Sequence, residues 1–163
     1  MIKIDNILVA TDFSEASEAA LLYGTHFARA YGAMLHLLHV VDDMAAAAMT
    51  TTEGIAGPVT DVAQLQLDLE RVTQIKLDAL LAREDRSTLR AHAVVVSSTT
   101  PARAILTYAT ELPVDLIIVG TQGRSGLAHF FMGSVAEHVV RAAPCPVLTV
   151  RHPEREFVVP DKS

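Results

Sequence analysis

The chain has 163 residues, half of them hydrophobic, enough for one sizeable core and too few for two ordinary domains. Thirteen Lys and Arg stand against 19 Asp and Glu, a net charge of −6 with no basic-dense segment, which argues against nucleic acid as the main partner. A single cysteine, Cys145, excludes an internal disulfide framework and fits a reducing cytoplasm.

The opening MIKIDNILVATDFSE carries Asp5 and Asn6 inside its apolar run, unlike a signal peptide, and Ile4–Ala10 reads as a first strand. Ser14 can cap a helix running through Ala20, Tyr23, Phe27 and Ala30, which Gly32 then ends. Met34–Val41 is the second strand. Asp42 to Thr60, with AAAAMTTTEGIAGP, reads as a mobile loop. Val62, Leu65, Leu69, Val72 and Leu80 approximate a 3.6-residue stripe, with Glu70, Arg71, Lys76 and Asp78 interspersed, and predict a second helix. Leu89–Val96 is the third strand, and Pro101 suits the first turn of a third helix, ARAILTYATEL. Val114–Val119 forms the fourth strand. A fourth helix begins at Ser134 and stops before Pro144, and Pro146–Val150 is the last strand. No apolar run approaches the roughly 20 residues of a membrane-spanning helix. The expectation is a soluble cytoplasmic protein.

Strands alternating with helices imply a mainly parallel sheet covered on both faces, and the near-continuous apolar strands agree. The predicted fold is α/β: a doubly wound, Rossmann-like open sheet of five mainly parallel strands. Periodicity leaves the strand order open. Residues 1–151 read as one domain without internal repeats, and His152 to Ser163 as a charged, poorly ordered tail with two prolines.

In such a sheet, ligands collect beyond the carboxyl ends of the strands, near a topological switch point. Two marked segments fall there: ATDFSE (Ala10–Glu15) after the first strand, and VGTQGRSG after the fourth. Gly120 and Gly123 could let successive backbone N–H groups form an anion-binding concavity. Gly133 and Ser134 open a helix whose free N–H groups and dipole favour a phosphate. There is no G-x-x-x-x-G-K-[ST], so this is not a P-loop. A dinucleotide fingerprint would put G-x-G-x-x-G where this chain has ATDFSE. The spacing is instead G-x2-G-x9-G-S, at Gly120, Gly123, Gly133 and Ser134.

That spacing resembles the ATP-binding branch of the universal stress protein family. The resemblance runs from the first strand to Arg151, through KIDNILVATDFSEAS, LLHVVD, DLIIVGTQGRSGL, MGSVAEHVV and APCPVLTVR. It implies that Ala10, Thr11 and Asp12 lie along an adenosine, with Asp12 near the phosphates and a nucleotide-bound Mg²⁺. It places Val40 against the adenine. Gly120, Thr121, Gln122, Gly123, Arg124 and Ser125 would wrap the ribose and phosphates, while Gly133, Ser134 and Val135 hold the phosphate tail. It also implies a homodimer through the last strand, which lies at the sheet edge in family members and pairs across a two-fold axis. Where members often carry a glycine before the proline of the third strand-to-helix loop, this chain has Ser97-Ser98-Thr99-Thr100-Pro101.

Plainer roles compete at several of these positions. Ser134-Val-Ala-Glu137 is also a capping box, which needs no ligand. Asp12 reads equally as a helix-entry carboxylate, Arg124 as a solvent-facing cation, Gly126 as a turn residue and Val40 as core. His36 and His39 are three apart on a strand, point to opposite faces and cannot chelate one metal together. Cys145, between two prolines, reads as a buried strand-entry residue.

Two functions follow. One is an ATP-binding regulatory protein of the stress response, acting as a nucleotide-dependent module on an unidentified regulatory protein partner. The other is a slow ATPase or nucleotidyl-transferring enzyme, for which Asp12 is the one good candidate base and no lysine accompanies the glycines. A phosphoacceptor receiver domain is rejected, since it needs an acidic cluster after the first strand and a lysine after the last.

Overall fold

The computed structural model describes residues 1–46, 59–84, 88–121 and 132–152. Its elements are β1 (Asn6–Ala10), α1 (Glu15–Tyr31), β2 (Met34–Val41), α2 (Val59–Ala82), β3 (Arg90–Ser97), α3 (Pro101–Glu111), β4 (Leu116–Gly120), α4 (Ser134–Ala142) and β5 (Val147–Val150). All four strand pairings are parallel, in the order β3-β2-β1-β4-β5. The chain therefore winds outward from β1 through β2 to β3, then crosses back to lay β4 on the other flank of β1. The switch point lies between β1 and β4.

Strand limits follow where backbone partners exist. β1 opens at Asn6 rather than Ile4, because the Asp115 carboxylate accepts from the amides of Asp5 and Asn6 at 2.7 and 2.9 Å. β5 opens at Val147; Pro146 lacks an N–H, although its carbonyl accepts from Ile117 at 3.0 Å.

Alternation sorts the strands onto two cores. Ile7, Val9, Leu35, Leu37 and Ile118 face Ala20, Leu21 and Tyr23 of α1 and Leu77 and Leu81 of α2. Leu8, Leu38, Ile117 and Val119 face Ile105 and Ala109 of α3 and Ala136 and Val139 of α4. The ends of α1 match their sequence signals. The Ser14 hydroxyl accepts from the Ser17 amide at 3.3 Å, and Gly32 takes a left-handed φ of 65° to close α1. Gly24, deep in α1, is demanded by packing: a Cβ there would overlap the Val9 side chain.

The α2 stripe is where expectation and structure part. The face turned to the sheet holds Thr73, Leu77 and Leu81, with Leu69 and Leu80 half-buried, whereas Leu65 and Val72 are exposed. This helix carries apolar residues on two sides, and a periodicity cannot tell which side the sheet takes. Of the Asp42–Thr60 loop, residues 47–58 lie outside the described residues, as does all of the tail after His152.

Candidate functional site

Beyond the carboxyl ends of β1, β2 and β4 a cavity of about 370 Å³ opens at the switch point. Its floor is Ala10 of β1, Val40 of β2 and Gly120 of β4, and its flanks are Pro101 and Ile105 of α3 and the first turn of α4. A cleft of this size suits a small ligand.

The β1–α1 turn is built from its own polar side chains. The Thr11 amide donates to the Leu38 carbonyl at 2.9 Å, carrying the strand ladder one residue further. The buried Thr11 hydroxyl accepts from the Phe13 amide at 3.0 Å and pairs with the Ser17 hydroxyl at 2.9 Å. Asp12 Oδ1 accepts from the Ser14 amide at 3.1 Å and from the Ser14 hydroxyl at 2.5 Å. These bonds hold Phe13 at a φ of 63°, which a non-glycine residue adopts only when its surroundings impose it. Asp12 thus has the helix-entry role. It is also the one carboxylate among the described residues lining the cavity.

His39 locks the same turn from β2. Its Nδ1 lies 2.7 Å from the Thr11 carbonyl, which can only accept, so Nδ1 carries the proton. The Phe13 ring sits 4.6 Å from the imidazole, and the Lys76 ammonium lies 5.8 Å from the Phe13 ring centre. His36 is turned to the opposite face, its Nδ1 2.8 Å from the Tyr108 hydroxyl on α3, so the two histidines do not share a site.

Gly120 has a structural duty of its own. A Cβ there would fall 2.8 Å from the Ala16 carbonyl carbon and 2.9 Å from its oxygen, so the absence of a side chain lets α1 cross the end of β4. Thr121 then donates from its amide to Val150 at 2.7 Å and accepts from the Gly133 amide at 2.7 Å, closing the chain around residues 122–132. Gln122, Gly123, Arg124, Ser125 and Gly126 lie outside the described residues.

At α4 the capping box gives way to a different start. Gly133 is the N-cap, with φ −60° and ψ 149° and no side-chain cap, and Ser134 is the first helical residue. The Glu137 carboxylate pairs with Arg141 at 2.8 Å rather than reaching back. Glycine at the cap leaves the amides of Ser134, Val135 and Ala136 without helical acceptors, at the wall of the cavity. Such an array, with the helix dipole behind it, suits an anion.

Nine predicted site residues therefore meet: Ala10, Thr11, Asp12, Val40, Gly120, Gly133, Ser134 and Val135 line the cavity, and Thr121 anchors its rim. Sequence reasoning missed Ser17, Leu38, His39, Pro101, Ile105, Val119 and Ala136 as lining. Only for Pro101 was there a signal, since it opens a helix at the same edge of the sheet. Among the described residues, no three His, Cys, Asp or Glu side chains group as a metal site. No helix among them is long and apolar enough to cross a membrane.

The model of the Universal stress protein family matches residues 3–151. The chain is 35% identical to universal stress protein YxiE of Bacillus subtilis over 90% of this chain and 99% of that one. Among solved structures, protein MJ0577 superposes with a TM-score of 0.72 at 24% identity, covering 95% of this chain and all of the other. A universal stress protein from Archaeoglobus fulgidus, solved in complex with dAMP, superposes with a TM-score of 0.57 at 19% identity, covering 92% and 99% of the two chains.

Proposed function

The chain belongs to the universal stress protein family, and from that premise we propose that it is an ATP-binding regulatory protein of the stress response, cytoplasmic and acting through an adenine nucleotide carried with Mg²⁺. The observation that carries this reading is the convergence of the α4 helix start, which has no side-chain cap, and an apolar wall on one cavity at the sheet's switch point. The purine lies against Val40 and Ile105, and the phosphates run towards Ser134, Val135 and the Gln122–Ser125 segment. The family resemblance and the dAMP held by a fold neighbour support an adenine base. Mg²⁺ is usually held by one or two carboxylates together with nucleotide phosphates, so Asp12 alone is compatible with a nucleotide-borne ion.

The alternative of a slow ATPase rests on Asp12 as a base. Its Oδ1 already accepts two bonds from Ser14, which favours a binding module over a catalyst.

Thermal melting with and without Mg-ATP, ADP and AMP tests the proposal. At a ligand concentration about 100 times the dissociation constant, binding stabilises the fold by roughly 2.7 kcal/mol. Gly123→Val retains the wild-type circular dichroism and loses the shift, because a branched side chain fills space that a phosphate needs. Native mass spectrometry identifies which nucleotide accompanies the purified protein. A wild-type protein that shows no shift with any of the three, and no heat in titration calorimetry, lacks this function.

A further inference from the structure

Two apolar seams run along α2, and the sheet uses only one. The buried seam follows Thr73, Leu77 and Leu81. At about 100° per residue, the second lies roughly 170° around the helix and passes through Leu65, Val72, Ile75, Ala79 and Ala82, interrupted by Asp68, whose carboxylate accepts from Gln64 one turn earlier; all are exposed. The large members are well exposed: Leu65 at 51%, Val72 at 51% and Ile75 at 60%. The spacing alternates three and four residues, the seven-residue repeat that one helix presents to another. From Leu65 to Ala79 the seam is about 21 Å long at 1.5 Å per residue.

We propose that this exposed face of α2 pairs with α2 of a second copy of the chain, antiparallel, about a two-fold axis between Val72 and Ile75. The charges flanking the seam select this occupant. Arg71 and Asp78 are exposed, lie on the same flank one heptad apart, and neither is in an ion pair among the described residues. In the antiparallel register, Val72 of each copy packs on Ile75 of the other, and Leu65 on the small Ala82. Each Arg71 then faces the other copy's Asp78, so the two-fold axis generates two opposite-charge contacts at once. A parallel pair would instead set Arg71 against Lys76 of the other copy, like charge against like. α2 packs on the β2–β3 end of the sheet, remote from the β5 edge, so this pairing is independent of any association through β5. The seam also explains why the sequence periodicity of α2 pointed to Leu65 and Val72: those residues are patterned for burial against a partner.

Sedimentation velocity on the full-length chain, over micromolar to hundred-micromolar concentrations, tests the proposal. Because the positions are exposed in the single chain, Val72→Glu/Ile75→Glu should keep the wild-type circular dichroism while the assembly drops in order by a factor of two. Arg71→Asp should raise the dissociation constant at this interface about tenfold or more by setting like charges opposite each other. The double reversal Arg71→Asp/Asp78→Arg should restore wild-type assembly. Equal masses for wild type and Val72→Glu/Ile75→Glu across the range overturn the proposal, and leave the face to another protein or to another segment of this chain. A charge reversal that weakens assembly without rescue by the double variant overturns the antiparallel register.

Discussion

Ser134 stands at the first helical position of α4 rather than at its cap, and this separates two consequences of removing its hydroxyl. A cap serine lost to alanine costs about 1 kcal/mol of stability with or without ligand. Ser134 makes no such bond, so Ser134→Ala should melt with the wild type in the absence of nucleotide. Its affinity for Mg-ATP should fall by about 0.5–1.5 kcal/mol, or up to roughly 3 if the hydroxyl meets a charged phosphate. Calorimetric titration beside a ligand-free melt resolves the two. Gly120 should behave in the opposite way. Gly120→Ala drives a Cβ into the backbone of Ala16, a neighbour that cannot rotate aside, and should cost about 1–3 kcal/mol in denaturant unfolding even without nucleotide. Both residues belong to one motif, yet the first acts on the ligand and the second first of all on the fold.

At the scale of elements, α3 is fastened to the sheet by a polar latch. The Tyr108 hydroxyl donates to Nδ1 of the buried His36 at 2.8 Å, and His36 Nε2 lies 3.3 Å from the Asn6 side-chain oxygen on β1. Burial, with the neighbouring His92 ring at 4.5 Å adding charge repulsion, lowers the His36 pKa to about 4 from 6.5. A group whose pKa is depressed by folding contributes stability that is complete above its unfolded value. Here it is lost as pH falls from about 6.5 towards about 4, and amounts to at most about 3 kcal/mol. Denaturant unfolding at pH 7 and pH 4.5 should show the loss. His36→Leu, which cannot titrate, should lose measurably less between the same two pH values, although it starts from a lower stability because Tyr108 and Asn6 forfeit their partner. A wild-type stability that is flat across this window would refute the latch.

Among the described residues the sheet ends on one side at β5, whose outer edge has no strand beside it. Exposed edges of this kind invite pairing, and in a homodimer through β5 a second copy would satisfy the free backbone groups through a two-fold axis. Val150 is buried, so a charge there would unfold the chain, whereas Leu148 is only half-buried at the margin of the core, and a lysine stem there can lie along it with its ammonium in water. Leu148→Lys should halve the assembly while leaving the α2 contact intact, which sedimentation alongside Val72→Glu/Ile75→Glu can show. A wild-type protein that stays monomeric at micromolar concentration would exclude the strand pairing.

The sequence by itself determined the element types, their order and most of their limits, because those depend on local physics. Ser14 caps α1 and Gly32 ends it through bonds made within a few residues, and a strand buried on both faces must be apolar throughout. The cavity's edge was legible too, since the carboxyl ends of parallel strands gather wherever the chain winds in one sense. Tertiary structure alone decided the rest. The strand order depends on which flank of β1 receives β4, a choice of pairing between distant segments. Which seam of α2 is buried depends on how the helix rolls against β2 and β3. The reason for Gly120 is the backbone of Ala16, more than a hundred residues earlier in the chain, and His39 joins the site only because Thr11 turns its carbonyl towards β2. Each of these is a contact between residues far apart in sequence, and such contacts leave no period for a sequence reading to find.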